Sequence, residues 1–383
     1  MGQTGRRTDD RGRKPEGGRQ EAGGSRQEAD VSDPPSSVSG HPSPVTRHPS
    51  AGPGWWVVAG ALLVGLVFYG LWLRSWLTAR PTPAQTCTNP LIQRDALEPD
   101  LLAALNDYWL FTSGPDTNLL VLRSPDMVQW TPVGEGLERP GVWAEPGTVQ
   151  SPAVIPGPRR GYILYYTARA RADGRRCIGL ALSEKPAGPY DDSRETPLVC
   201  GGQSASDADA FVDEDGTTYL LWREGGTGGE GAIRAQRLNR DALEMVGEPT
   251  TLLTVSQPWE GQSIGAPTLV KRAGRYFLLY SGNAPATRDA AIGYAVASSP
   301  LGPFTKSAAN PLLTATAEVC GPSGQAVFLD ARRQDWLLYQ AQPCAASGAS
   351  GQRSVRLDRL QVEGDTLTVV PASGAQPAPA VGR

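Results

Sequence analysis

The stretch Ser206-Asp207-Ala208-Asp209-Ala210-Phe211-Val212-Asp213-Glu214-Asp215-Gly216-Thr217-Thr218-Tyr219-Leu220-Leu221-Trp222 reads as a β-hairpin. Two carboxylates lead into a short apolar strand. Asp215-Gly216 supplies the positive φ that a tight turn needs, and a second strand rich in β-formers follows. The same grammar recurs along the chain. Upstream, Glu98-Pro99-Asp100-Leu101-Leu102 precedes Tyr108-Trp109-Leu110-Phe111, and Ser151-Pro152-Ala153-Val154-Ile155 precedes Tyr162-Ile163-Leu164-Tyr165-Tyr166. Downstream, Ala266-Pro267-Thr268-Leu269-Val270 precedes Tyr276-Phe277-Leu278-Leu279-Tyr280, and Gln325-Ala326-Val327-Phe328-Leu329 precedes Trp336-Leu337-Leu338-Tyr339.

The leading aromatics Tyr108, Tyr162, Tyr219, Tyr276 and Trp336 lie 54 to 60 residues apart, the signature of an array. Each unit adds outer strands, such as Ile178–Ser183 or Ile292–Ala297. Five units of about four strands predict an all-β fold, a five-bladed β-propeller over residues 94–370. A two-sheet sandwich gives no reason for five matched hairpins.

Ahead of the repeats, residues 1–54 contain almost no large apolar side chain and predict a disordered tail. Trp55 to Leu73 is uncharged and, as a helix, would cross about 28 Å. With tryptophans at both ends it predicts a single transmembrane helix within 55–77. Residues 78–93, with Pro81, Pro83 and Pro90, read as a stiff spacer, and 371–383 as a flexible tail.

Net charge is -3, with no strong basic excess in either half, which argues against a nucleic-acid partner. Both histidines, His41 and His48, lie in the tail, so the repeats hold neither a His-ligated metal nor a Ser-His-Asp triad. None of the five cysteines has CxxC spacing. Cys177 with Cys200, and Cys320 with Cys344, fall at similar separations within single units and predict two local disulfides, hence an oxidising compartment. Cys87 is left over, either free or bridging two chains. The flanking charges, Arg47 before the helix and Arg74 and Arg80 after it, weakly favour the opposite topology. The cysteines outweigh that difference: the expected protein is single-pass in the cell membrane with its propeller outside.

Inner strands of a propeller converge on one channel, so the residues that open them share a funnel. They are Glu98, Gln150 or Ser151, Asp207 with Asp209, Gly265 and Gln325. Two or three carboxylates around one pocket suit acid–base chemistry such as glycoside hydrolysis. Trp143, Trp222 and Trp259 lie nearby in sequence and could offer faces for sugars to stack on. Equally, such carboxylates often do no more than cap turns.

The chain from about 94 to 365 resembles glycoside hydrolase family 43, the five-bladed arabinanase, arabinofuranosidase and xylosidase group. The resemblance rests on Cys177–Ser183 with Ala187-Gly188-Pro189-Tyr190, Pro197–Cys200, Asp207–Trp222, and Trp259-Glu260-Gly261-Gln262 running into Ala266-Pro267-Thr268-Leu269. Ser298–Phe304 and Gly321–Gln325 complete it. It implies a carbohydrate partner such as arabinan or arabinoxylan, inversion at the anomeric centre, and no cofactor, although some members hold a calcium ion in the channel. It also implies three acidic residues: a base in blade 1, a tuning Asp in blade 3 and an acid in blade 4. Asp207 matches the middle one. The base position carries Glu98 instead of Asp, and the acid position carries Gly265, which has no proton to give. Glu260, five residues earlier, is the candidate for a displaced acid. Two functions follow: a membrane-anchored hydrolase with weak or lost activity, or a non-catalytic carbohydrate-binding propeller. A protein-interaction propeller would instead show an exposed apolar patch.

Overall fold

In this computed structural model, residues 62, 64–70, 85–93, 96–114, 117–225, 231–285, 287–345, 348–349 and 352–380 are described. The chain divides into two compact units, Met1–Arg80 and Pro81–Arg383. In the first, residues 62 and 64–70 are helical and exposed. The expected tail 1–54 and the rest of the expected span 55–77 lie outside the described residues. Among the described residues no helix is long and apolar enough to cross a membrane.

The second unit is a five-bladed propeller of antiparallel sheets. Blade 1 runs outward through Leu97–Ala104, Asp107–Gly114, Thr117–Ser124 and Thr131–Glu135. Blade 2 has Gln150–Pro156, Tyr162–Arg169 and Arg176–Ser183, with single bridges from Ile178 to Val199 and Leu182 to Asp191 along its outer edge. Blade 3 has Ala205–Val212, Thr218–Glu224, Ala232–Leu238 and Met245–Thr254. Blade 4 has Ile264–Arg272, Arg275–Gly282, Ala291–Ala297 and Thr305–Lys306. Blade 5 has Val319–Leu329, Asp335–Ala345, Ser354–Glu363 and Thr366–Val370.

The core lies between blades, which explains the sequence period. Phe111 and Leu119 of blade 1 meet Leu164 and Tyr166 of blade 2, and Tyr165 of blade 2 packs in one cluster with Leu220 and Trp222 of blade 3. Leu221 and Ile233 of blade 3 cluster with Leu278 and Tyr280 of blade 4, whose Phe277 and Leu279 in turn cluster with Leu337 and Tyr339 of blade 5. Leu338 and Val355 of blade 5 close the circle against Leu110 and Leu122 of blade 1. The blade-3 hairpin turns through three residues, Glu214 to Gly216. The Asp213 N–H donates to Thr217 O, and Gly216 alone takes positive φ, at 80°.

The termini correct two expectations. Thr86–Cys87 pairs with Gln376–Pro377, and the Leu91 N–H donates to Val355 O, so the second half of the proposed spacer is docked on the propeller. The segment after Pro371 is tied down through residue 380, where the Ala380 carbonyl accepts from the Tyr108 hydroxyl and its N–H donates to Asp330. Runs of Ala and Pro look frayed in sequence because their side chains cannot show that their backbone groups find partners. Cys177–Cys200 and Cys320–Cys344 are both disulfides, and Cys87 is free and buried.

Candidate active site

Every inner strand carries a bulge at the same place. The register shifts fall between Leu97 and Asp100, Gln150 and Ala153, Gly265 and Thr268, and Ser323 and Ala326, with the equivalent shift in blade 3 opposite Leu221 and Arg223. The bulged residues Glu98, Ser151, Asp207, Ala266 and Gly324 have φ of 50°, 48°, 57°, 45° and 57°. Four of the five are not glycine, so this left-handed backbone must be held in place by its surroundings.

A ring of hydrogen bonds holds it. The N–H of each bulged residue donates to a side chain of the preceding blade. Ser151 donates to Glu98 Oε2 (2.9 Å), Asp207 to Thr167 Oγ1 (3.1 Å) and Ala266 to Asp207 Oδ2 (3.1 Å). Gly324 donates to Ser281 Oγ (3.1 Å), and Glu98 donates to Gln340 Oε1 (2.9 Å). Glu98 and Asp207 are therefore members of this ring as well as candidate acid–base groups.

The funnel inside the ring is lined by residues of all five bulges. Glu98, Asp100, Asp207 and Asp209 bring four carboxyl groups to it from blades 1 and 3. Burial, then the charge of Asp207, pushes the Glu98 carboxyl above its ordinary range, against the hydrogen bonds from the Ser151 hydroxyl (2.7 Å) and N–H. Asp100 accepts the Val154 N–H at 2.7 Å and Asp209 the Leu269 N–H at 3.2 Å, a second tier of stitches between blades. Burial lifts Asp100 to about 6; burial, then the Asp100 charge, lifts Asp209 to about 7. Asp100 was not among the sequence candidates. Its signal was there, because Glu98-Pro99-Asp100 repeats the spacing of Asp207-Ala208-Asp209. Gln325 lines the funnel as expected, but its amide is engaged: it donates to Ala266 O and accepts from the Ser281 hydroxyl.

Glu260 is not part of this site. It is 0 % exposed within the short helix Pro258–Glu260 and accepts from the Ser256 and Gln257 N–H groups, the Tyr280 hydroxyl and the Lys306 ammonium. Burial opposes its ionisation, but these donors prevail and hold its carboxyl below the ordinary range. A carboxylate so fixed cannot lend a proton, so Glu260 is not a displaced acid.

The tryptophans are likewise structural. Trp143 is buried, stacks on Tyr166 at 6.0 Å and donates to Asp192, while Trp259 packs on Tyr280 at 5.4 Å and donates to Gln257. Each ring lies on an outer-strand glycine: a Cβ on Gly179 would strike Trp143, and one on Gly293 would strike Trp259. Trp222 is buried between blades 2 and 3. None of the three lines the funnel.

At blade 4 the residue before the bulge is Gly265. A Cβ there would stand 2.6 Å from Asp207 Oδ2 and 2.8 Å from Arg223 Cδ, so the space a side chain would need is taken by those two residues. Among the described residues no group of three or more His, Cys, Asp or Glu is placed to hold a metal ion.

Comparison with known proteins gives a consistent answer. The sequence profile of glycosyl hydrolases family 43 matches residues 87–367. A curated beta-D-galactofuranosidase, xynD of Aspergillus niger, is 26 % identical over 303 residues, covering 74 % of this chain and 84 % of that protein. An arabinoxylan arabinofuranohydrolase of Bacillus subtilis is 30 % identical over 222 residues, 49 % of this chain and 41 % of its own length. A crystal structure of a thermostable family-43 glycoside hydrolase superposes with a TM-score of 0.71 at 30 % identity, covering 78 % of this chain and 100 % of that one. The profile match runs from the closing strand at Cys87 to the outermost strand of blade 5 and leaves no blade outside it, so the chain belongs to glycosyl hydrolases family 43.

Proposed function

We propose that this protein is a membrane-anchored glycoside hydrolase that releases arabinose, xylose or galactofuranose residues from glycans at the cell surface, by inverting attack of water. The observation that carries it is the pair Glu98 and Asp207, bulged into one funnel from blades 1 and 3, with burial and then the charge of Asp207 raising the affinity of Glu98 for a proton. Water beside Glu98 gives that carboxylate a proton as its oxygen attacks the anomeric carbon, and the bond to the leaving group breaks on the opposite face. The choice of sugars follows the names of the relatives. The anchor rests on the uncharged run from Trp55 to Leu73, and the outward propeller on two disulfides.

A second reading, a carbohydrate-binding propeller without turnover, is favoured by Gly265, which leaves blade 4 with no acid to protonate a leaving group. Loss of a general acid typically costs about 10²–10⁴-fold. The hydrolase is therefore expected to be slow on arabinan and arabinoxylan and faster on nitrophenyl glycosides, whose leaving groups need no proton. The test is to assay the full chain on nitrophenyl arabinofuranoside, xyloside and galactofuranoside beside Glu98→Gln. A loss of about 10²-fold or more in the variant, with the inverted anomer appearing first by NMR, supports hydrolysis. Sugar binding by calorimetry without turnover of any substrate would establish the binder instead.

A further inference from the structure

We propose that Ser151 is a positioning residue for hydrolysis: its hydroxyl pins Glu98 through Oε2 and leaves Oε1 as the atom that takes the proton from water. The inference rests on the hydrolase reading and deepens it.

The ring that holds the five bulges uses only the backbone N–H of each bulged residue. At Ser151 a second bond is added. Its Oγ donates to Glu98 Oε2 at 2.7 Å, the same oxygen that accepts its N–H at 2.9 Å. The other bulged residues, Glu98, Asp207, Ala266 and Gly324, add no donor of this kind. Ala266 takes φ of 45° in blade 4 against 48° for Ser151 in blade 2, so the backbone at this place accepts alanine. The hydroxyl is thus additional to the bond that every blade shares, and it falls on the one bulge acceptor proposed to be the base.

Glu98 has one methylene more than the other funnel carboxyls, Asp100, Asp207 and Asp209. That extra torsion must be fixed if the carboxylate is to meet water in one place, since a displacement of about 1 Å can cost about 10²-fold in rate. Two donors on Oε2 fix the far end of the side chain. Among the described residues no hydrogen-bond donor reaches Oε1, which is left to accept from water. The hydroxyl acts on protonation too. Burial and the Asp207 charge favour the protonated form of Glu98, Arg353 favours the ionised form, and Asp100 and Asp209 line the same funnel. A hydroxyl donating to a carboxylate also favours the ionised form, so Ser151 helps to keep the base free of its proton. With a nitrophenyl glycoside, the water proton passes to Oε1 and the water oxygen bonds to the anomeric carbon. The electron pair of the broken C–O bond leaves on the nitrophenolate, and Oε2 keeps both donors.

The test uses the full chain in detergent with nitrophenyl arabinofuranoside, xyloside and galactofuranoside, beside Ser151→Ala and Ser281→Ala. Ser281 Oγ accepts the Gly324 N–H and donates to Gln325, so its loss weakens the ring without removing a bond to Glu98. In Ser151→Ala the acid limb of kcat/KM should move up by about one pH unit. Above the limb kcat should fall about tenfold, with KM changed by less than about twofold. A ¹³C NMR titration of the Glu98 carboxyl, assigned with Glu98→Gln, should show the same upward movement without substrate. Ser281→Ala should lower Tm and leave limb and midpoint in place. A limb and a Glu98 midpoint unmoved in Ser151→Ala, or moved equally in Ser281→Ala, would overturn the inference and leave the hydrolase standing. A midpoint that moves in a chain whose parent turns over none of the three glycosides would overturn the hydrolase reading, and the positioning role with it.

Discussion

At Glu98 a single carboxylate serves the fold and the chemistry together. Its Oε2 accepts the bulge N–H of Ser151, and its proton affinity is raised by burial and by Asp207. The acid limb of a kcat/KM profile should therefore lie above the ordinary glutamate range, and Asp207→Asn should move it to lower pH by removing the opposing charge. A limb unmoved in Asp207→Asn would mean that Glu98 is not the base. Also lining the funnel, Asp100 is pushed up by burial to about 6, and Asp209 by burial and the Asp100 charge to about 7, above their ordinary value of 3.8. The folded state thus binds more protons than the unfolded state between about pH 4 and 7, so these two groups lose stability for the protein as pH rises through that window. Each contributes a slope of up to about 1.4 kcal/mol per pH unit. Asp209→Asn keeps an acceptor for Leu269 and removes one titration. Its Tm relative to the parent should rise between pH 4.5 and 7.5, and a constant difference would refute the assignment.

Elements explain which residues the sequence could reveal. The aromatic at the head of each second strand recurs because blade packs on blade, so the five hairpins were legible from spacing alone. Asp207 was legible for the same reason, as the residue opening an inner strand. The tryptophans were misleading: a Trp in a loop near carboxylates looks alike whether it faces a sugar or a blade. The glycines at 179 and 293, which accept the rings of Trp143 and Trp259, are the clue that separates the two, and it lies in a different strand. Glu260 was ambiguous because its four donors come from three places, the turn before it, Tyr280 and Lys306. Its role in the loop leads to a prediction. Glu260→Gln takes the one carboxylate from Lys306, 10 % exposed in its side chain, and leaves the ammonium only the neutral acceptors Thr254 O and Ser256 Oγ, which should cost about 3 kcal/mol by denaturant unfolding. Turnover per folded molecule should stay unchanged, and a selective loss of kcat would return Glu260 to the mechanism.

For the whole propeller, the problem is closure, because blades 1 and 5 meet without a covalent bridge among the described residues and must be held by the chain ends. Thr86–Cys87 and Gln376–Pro377 pair with each other, and Asn89 exchanges hydrogen bonds with Leu357 of blade 5. Gln376 is buried and donates to Leu357 O at 2.7 Å, while Ala380 bonds to Asp330 and Tyr108. These contacts lie beside the cluster in which Cys87, Leu110, Leu338 and Val355 pack between blades 1 and 5. Ending the chain at Val370 would therefore strip a strand partner, the donors to Leu357 O and Asp330, the acceptor of the Tyr108 hydroxyl and part of the cover over Cys87, with every funnel residue untouched. At about 1 kcal/mol for each lost buried hydrogen bond, the loss should amount to a few kcal/mol, which for a domain of this size lowers Tm by about 5–10 °C. The Cys87 thiol should then react with a maleimide in the truncated protein far faster than in the parent. A truncation that leaves both Tm and thiol protection unchanged would show that the tail does not hold the ring closed, and that the packing of blade 5 on blade 1 suffices by itself.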